Sequence, residues 1–155
     1  MDKGIGTYAL ILEAKQGFEL TAGKLGRLKG GPGYYVYVGS AFGPGGVKAR
    51  LKHHRRRTLR PHWHIDYLRR HLPFNEVWYT YDLRRRECEW AGLLAQMPGA
   101  MTPFPGFGAS DCNCIAHLVY FEGCPSFEAF GQRLRSQKGE HAAIRRVTYR
   151  YLTEL

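Results

Sequence analysis

The sequence predicts an α+β fold, a small central mixed or antiparallel β-sheet flanked by helices, and three observations support this class. Residues 34–38 are aromatic and β-branched, a composition typical of a pleated strand. After a glycine-rich turn, Val47, Arg50, Leu51 and His54 follow at the i, i+3, i+4, i+7 spacing of one helix face. Further segments of both kinds follow without strict alternation, which favours a mixed sheet between helices.

Four more segments are predicted to contain strands. Residues 6–12 form a short apolar run after a glycine and read as a buried first strand. Residues 18–28 are interrupted by Gly23 and Gly26, which predicts one or two short hairpin strands before a turn at 29–33. Residues 76–81 and 115–121 are predicted as two further strands.

The helix predictions rest on end signals as well as on periodicity. The first helix covers residues 47–57. Pro61 suits a first helical turn and predicts a second helix over 62–71, which Pro73 ends. Asp82 is predicted to cap a third helix over 83–97. A glycine- and proline-rich loop follows at 98–108, and residues 128–135 read as a fourth helix. Residues 141–155 fit helix and strand patterns equally well.

Size, charge and cysteine content narrow the class of protein. A chain of 155 residues is the length of one domain. Its net charge of +10 favours an anionic partner: nucleic acid first, then an acidic membrane surface or an acidic protein. No run approaches the length of a membrane span, and residues 8–12 are too short for a signal-peptide core. Four cysteines without a secretory signal suggest free thiols in the cytoplasm, where association with the nucleoid is an option.

The first helix carries the strongest functional signal. Its inward face includes Arg50 and His54, and a buried guanidinium has a high desolvation cost unless it meets an anion. A tyrosine-rich strand ends just before it, so the pattern predicts a phosphate site. The basic residues on the other faces are expected to contact nucleic-acid phosphates; they are Lys48, Lys52, Arg55, Arg56 and Arg57.

The order and spacing of several motifs resemble the GIY-YIG nuclease superfamily. They are Gly6-Thr7-Tyr8, then Tyr37-Val38-Gly39, then Arg50 and a glutamate in a later helix. More of the chain is similar to an uncharacterised GIY-YIG-like domain family of archaea and bacteria, through residues 35–41, 62–68, 87–88, 106–114 and 117–118. On this resemblance residues 1–122 form a GIY-YIG-like domain, and residues 123–155 an extension packed on it.

The resemblance implies a metal-dependent endonuclease that hydrolyses DNA phosphodiester bonds, in repair or recombination. Tyr37 would relay or accept the proton of the attacking water with Tyr8 beside it, and Arg50 would hold the scissile phosphate. His54 would donate to the phosphate or act as an acid or base. Gly39 and Ser40 would lie against the phosphate.

One divalent ion, Mg²⁺ with Mn²⁺ as the alternative, would be held by one glutamate, by water and by phosphate oxygens. Glu87 shares a helix face with Trp90, Ala91 and Leu94, and a carboxylate on an apolar stripe needs a partner. Glu87 is therefore the preferred metal ligand and Glu89 the runner-up. An ion pair between Glu87 and Arg50 is the structural alternative.

Several residues keep two interpretations. His64 and Asp66 could line the cleft, where Asp66 would orient a histidine, or could belong to a polar helix face. Cys112, Cys114 and His117 could bind Zn²⁺ if Cys88 or Cys124 supplied a fourth ligand, but buried thiols with a structural histidine are preferred.

Two alternatives to the enzyme stay open: a non-catalytic nucleic-acid-binding module on the same scaffold, and a protein-interaction domain. The choice of DNA or RNA and the oligomeric state are not fixed by the sequence.

Overall fold

The computed structural model describes residues 3–56, 59–109 and 112–148, and it confirms the α+β class. Its seven described strands are β1 Gly6–Ala14, β2 Phe18–Thr21, β3 Arg27–Gly30, β4 Gly33–Ala41, β5 Phe74–Thr80, β6 Leu118–Phe121 and β7 Ile144–Thr148. Five of them form an antiparallel sheet in the order β6-β4-β1-β5-β7, and β2 pairs with β3 in a separate hairpin. The described α-helices are α1 Gly46–Arg55, α2 His64–Arg69, α3 Glu87–Ala95 and α4 Phe127–Arg135.

The sheet is covered on both faces, because alternate side chains of a strand point to opposite sides. Tyr8, Leu10 and Leu12 of β1 pack on one face, which α1 and α2 cover. Ala9 and Ile11 point to the other face, which α3 and α4 cover. The strands that carry the candidate site are therefore central and buried, and α1 lies directly over them.

Two helices begin later than predicted because nearby carboxylates have other partners. Asp66 accepts hydrogen bonds from the backbone N–H groups of His62 and Trp63, at 2.8 and 2.9 Å, so α2 starts at His64 instead of residue 62. The prediction that Asp82 caps α3 is wrong. Its carboxylate accepts from the Arg84 backbone at 2.9 Å, from Ala142 and from Arg86, and α3 begins only at Glu87.

The chain beyond residue 122 packs on the same sheet. In α4, the Phe130 ring lies 5.0 Å from the Trp90 ring of α3, centroid to centroid. Residues 144–148 of the undecided tail form β7 along the outer edge of β5, and residues 149–155 lie outside the described ranges. Within the described ranges, no helix has the length and apolar character needed to cross a membrane.

Candidate functional site

Two tyrosines on neighbouring strands form the base of the candidate site. Tyr8 of β1 lies opposite Gly39 of β4, and its ring centroid is 6.4 Å from that of Tyr37. A Cβ on Gly39 would lie 2.5 Å from the Tyr8 hydroxyl, so only glycine leaves room for this ring. Gly39 is buried, and the structure gives it this packing role instead of the predicted phosphate contact. Ser40 is half-buried and accepts a hydrogen bond from Arg85 at 3.4 Å.

His54 pairs with Tyr8 inside the core. The Tyr8 hydroxyl lies 2.6 Å from His54 Nε2, and both residues are 1% exposed. Burial, and the neighbouring charge of His53, lower the pKa of His54 to about 3, so the ring is neutral at pH 7. Its other nitrogen, Nδ1, is buried without a hydrogen-bond partner. The buried position corrects the prediction that His54 contacts a phosphate, because its described partner is a phenol.

The environment keeps both phenols protonated. Burial raises the pKa of Tyr8 well above its ordinary value, and the neighbouring Tyr37 raises it further. Burial also raises the pKa of Tyr37, as do the charges of Asp66 and Glu87, while the Arg50 charge lowers it. Neither phenol is therefore ionised at neutral pH, so neither can accept a proton as a phenolate. The Arg50 charge acts in the direction of proton release from Tyr37, but burial outweighs it.

Arg50 lies at the rim of the site. Its Cζ is 4.3 Å from the centre of the Trp63 ring, a cation–π contact that orients the guanidinium plane. Val47, Leu51 and His54 are buried as predicted, but Arg50 is half-exposed, which corrects its predicted burial. It borders a pocket of about 140 Å³, whose other lining residues are Ala41, Gly43, Pro44, Gly46, Ala49, His53 and Trp63. The guanidinium is thus accessible to a phosphate-sized group.

A histidine–carboxylate pair lies beside Arg50. His53 Nε2 is 2.9 Å from Asp66 Oδ1, and Asp66 is buried. Burial raises the pKa of Asp66, but hydrogen bonds from Trp63, His62 and His53 outweigh it and leave the pKa below its ordinary value. Asp66 therefore orients a histidine as the sequence indicated, and the histidine is His53. The His53 and His54 nitrogens and an Asp66 oxygen lie within 4.8 Å of one another, so this group could hold a metal ion.

His64 belongs to the scaffold and not to the cleft. Its Nδ1 accepts a hydrogen bond from the Gly108 backbone at 2.8 Å, and its ring lies 5.5 Å from that of Phe107. The Phe107 ring in turn contacts Tyr37, with 6.3 Å between centroids. His64 thus fixes the loop that covers Tyr37.

The two candidate carboxylates of α3, Glu87 and Glu89, differ in their surroundings. Glu87 is the first residue of α3, and its Oε2 is buried without a hydrogen-bond partner. Its charge is one of the causes that raise the pKa of Tyr37. Glu89 is already used, because Arg86 Nη1 forms an ion pair with it at 2.9 Å. Within the described residues no ion pair joins Glu87 to Arg50, which stacks on Trp63 instead.

Two cysteines of the segment before β6 lie close to a cysteine of α3. Ligand atoms of Cys88, Cys112, Cys114 and His117 all lie within 4.8 Å of one another, so this group could also hold a metal ion. Cys88 is exposed and Cys112 and Cys114 are half-buried, so the expectation of buried thiols is wrong for them. Partial burial and the neighbouring thiols raise the pKa of Cys114.

The basic residues of α1 lie on its outer faces. Lys52 and Arg56 are exposed, and Lys48 and Arg55 are half-buried. Arg57 lies outside the described residues. None of these four side chains lines the pocket that Arg50 borders.

Two residues of the candidate site, His53 and Trp63, were not predicted from the sequence. His53 lies between the polar and apolar faces of α1, and only the fold brings Asp66 to it. Trp63 lies within the motif at residues 62–68, and its contact with Arg50 depends on how α2 packs against α1. The only sequence signal for either was their proximity to other aromatic and basic residues.

One comparison with known proteins gives a match. A protein-family model described as "Domain of unknown function DUF123" matches residues 7–138, well over half of the chain. No curated protein and no solved structure matches the chain.

Proposed function

The chain belongs to the DUF123 family, a domain family of unknown function, and we propose from its site that it is a metal-dependent endonuclease that hydrolyses phosphodiester bonds in DNA. The observation that carries the proposal is the Glu87 carboxylate, whose buried Oε2 has no hydrogen-bond partner. The Glu87 charge raises the pKa of Tyr37, and the Arg50 charge lowers it. The resemblance to GIY-YIG nucleases supports the same roles for Tyr8, Tyr37 and Arg50.

The unpartnered carboxylate oxygen fits a hard divalent cation. A buried acceptor without a partner costs free energy that a cation would offset. Glu87 would hold Mg²⁺ or Mn²⁺ together with water and phosphate oxygens, since such ions prefer oxygen ligands. When bound, the ion would stabilise negative charge on the phosphoryl oxygens and favour ionisation of a water.

Arg50 would bind the scissile phosphate. The guanidinium is half-exposed at the pocket rim and is held in one plane by Trp63. A fixed planar fork suits two parallel hydrogen bonds to phosphate oxygens, which a lysine could not form. The His53–Asp66 pair lies next to Trp63 at the same rim, where the Nδ1 of a protonated His53 would add a donor.

Tyr37 and Tyr8 would position the attacking water through neutral hydroxyl groups. Both phenols keep their protons at pH 7, because burial raises their pKa values. Proton acceptance by Tyr37 would need positive charge nearby, and Arg50 supplies part of it. The bond to neutral His54 would hold the Tyr8 hydroxyl in one orientation.

The proposed partner is DNA bound along α1. The outer faces of this helix carry Lys48, Lys52 and Arg55, and Arg56 follows directly after it, on a chain with a net charge of +10. Contacts from lysine and arginine to phosphates are insensitive to sequence and position the duplex. Action in repair or recombination would follow if branched or flapped duplexes are the preferred substrates.

A cleavage assay with two matched variants tests the proposal. Duplex, flapped, branched and single-stranded DNA would be incubated with the protein and Mg²⁺, with and without chelator. Glu87→Gln keeps the side-chain shape and should reduce cleavage by about 100-fold or more, while DNA binding persists. Glu89→Gln changes the carboxylate bound to Arg86 and should leave cleavage within a few-fold of wild type.

One observation favours a non-catalytic DNA-binding module as the second candidate. Tyr8 and Tyr37 are 1% and 8% exposed, so little of either phenol faces a substrate in this conformation. If wild-type protein binds DNA but no substrate is cut with Mg²⁺ or Mn²⁺, the second candidate replaces the first. Cleavage that Glu89→Gln abolishes and Glu87→Gln spares would keep the nuclease but reject the assignment of Glu87.

A further inference from the structure

The cluster of three thiols and one imidazole is built from two distant parts of the chain. Cys88 is the second residue of α3, whereas Cys112, Cys114 and His117 belong to the segment that leads into β6. From these residues we propose that the protein binds one structural Zn²⁺ ion, with Cys88, Cys112, Cys114 and His117 as its four ligands. This site is separate from the catalytic cation of the proposed function.

The spacing of the ligand atoms is that of a tetrahedral zinc site with a small adjustment. Bonds of about 2.3 Å to sulfur and about 2.0–2.1 Å to nitrogen give tetrahedral ligand–ligand distances of about 3.5–3.8 Å. His117 Nε2 lies 3.7 Å from the Cys88 sulfur and 3.2 Å from the Cys112 sulfur. All four ligand atoms lie within 4.8 Å of one another, about 1 Å more than a tetrahedral zinc site requires.

The scaffold fixes the imidazole in place before any ion binds. The His117 backbone N–H donates to Phe107 at 2.7 Å, and its carbonyl accepts from Val38 of β4 at 2.9 Å. His117 is buried, and its Nε2 faces the two thiols described above. A residue held at both backbone groups by the core is a rigid ligand, around which the more exposed cysteines can gather.

The composition of the cluster selects both the metal and its role. Three thiolates and one imidazole are soft and borderline ligands that favour Zn²⁺ over Mg²⁺ or Ca²⁺. Four protein ligands leave no open position, which is typical of structural rather than catalytic zinc. Binding would replace three thiol protons by zinc–sulfur bonds and release those protons to solvent.

Cys124 is the natural internal control. Its sulfur lies 3.8 Å from the neighbouring Pro125 carbonyl and does not belong to the cluster. Of the two cysteines that the sequence offered as a fourth ligand, the fold therefore selects Cys88.

The site would join the loop over Tyr37 to the first turn of α3. Gly108 in that loop packs against both the Tyr37 ring and the His117 side chain. Cys88 is next to Glu87, so a bond from Cys88 to zinc would hold the start of α3 against the same loop. The ion would thus keep Glu87 and Tyr37 on one side of the molecule without taking part in hydrolysis.

Elemental analysis of untagged protein, purified with reductant and without chelator, tests this inference. Wild type should contain about one zinc per chain, as should Cys124→Ser and Glu87→Gln. Cys88→Ser, Cys112→Ser and Cys114→Ser should each lose most of the zinc. Retention by Glu87→Gln separates this ion from the catalytic one, so the two proposals can fail independently.

Two measurements on the wild-type protein test the zinc site without cysteine variants, whose loss of zinc could also result from misfolding. Removal of zinc by a chelator should lower the melting temperature, and zinc should restore it, because a structural ion contributes to folding. Replacement by Co²⁺ should give the visible and thiolate charge-transfer bands of a tetrahedral cobalt–thiolate centre. The inference is overturned if reduced wild type neither contains nor takes up zinc, if Cys124→Ser loses zinc as the cluster variants do, or if mass spectrometry finds a disulfide within the cluster of freshly purified protein.

Discussion

Replacing Tyr8 by phenylalanine removes one oxygen atom from the centre of the candidate site. That oxygen lies 2.6 Å from His54 Nε2, in a part of the core where both residues are 1% exposed. The ring itself keeps its packing against Tyr37 and His54. The change therefore removes the buried hydrogen bond to His54 together with the interaction of the hydroxyl with Arg50, and leaves the ring in place.

The expected cost follows from what the imidazole loses. His54 Nδ1 already has no hydrogen-bond partner, so Tyr8→Phe leaves both ring nitrogens unsatisfied in the core. A buried polar group deprived of its partner costs about 1–3 kcal/mol. For a domain of this size, a loss of about 2 kcal/mol corresponds to a fall of roughly 4–8 °C in the melting temperature.

Urea unfolding at pH 7, followed by tryptophan fluorescence, measures the change in the free energy of unfolding. Tyr34→Phe serves as the control, because that hydroxyl is 3.5 Å from Glu13 at a half-exposed position, and no measurable change is expected. In a His54→Leu background the cost of Tyr8→Phe should nearly vanish. A cost below about 0.5 kcal/mol in the wild-type background would refute the buried pair, since an intact bond of this kind contributes more.

The remaining predictions concern pH and salt. Because the folded pKa of His54 is about 3, below its ordinary value of 6.5, the unfolded chain takes up a proton that the folded chain refuses, and stability should fall as pH drops from 6.5 toward 3. His54→Leu should reduce the slope of unfolding free energy against pH between pH 6 and 4 by up to about 1.4 kcal/mol per pH unit. His71→Gln, at an exposed position, is the control and should leave the slope unchanged. Equal slopes in wild type and both variants would contradict the buried neutral ring. DNA affinity should fall steeply with salt, and a double Lys48→Ala, Lys52→Ala variant should lower the slope of log K against log salt by about 1.8, while Lys29→Ala on β3 should not. A flat salt response of wild type would remove nucleic acid as the main partner.

The spacing of apolar residues in the sequence predicted which helix faces are buried. The apolar spacing of α1 and α3 identified Val47, Leu51, Trp90 and Leu94 as core residues, and all four are buried. The start of α3 was misplaced because Asp82 looks like a cap in the sequence. In the fold this carboxylate binds the Ala142 backbone, sixty residues away, and no local signal announces that partner.

The candidate site was predictable in its strands and less so in its partners. The resemblance to GIY-YIG nucleases pointed to Tyr8, Tyr37 and Asp66, and the strand patterns placed the two tyrosines on β1 and β4. The pairing of Asp66 with His53, and the stacking of Arg50 on Trp63, depend on the packing of α2 against α1. Likewise the spacing of Cys112, Cys114 and His117 suggested metal ligands, but only the position of α3 distinguishes Cys88 from Cys124.

The position of β7 also constrains the order in which the sheet is completed. β5 is synthesised long before β7, yet β7 supplies its second neighbour, with Trp78 opposite Arg146. Until those later residues leave the ribosome, β5 is an open edge whose unpaired backbone groups could template pairing with a second nascent chain. The Glu76 side chain, which finally pairs with Arg146, puts a negative charge on that edge during the interval. Glu76 would thus act first as a gatekeeper, a charge that discourages pairing of the open edge, and later as the partner of Arg146 that holds β7 on β5.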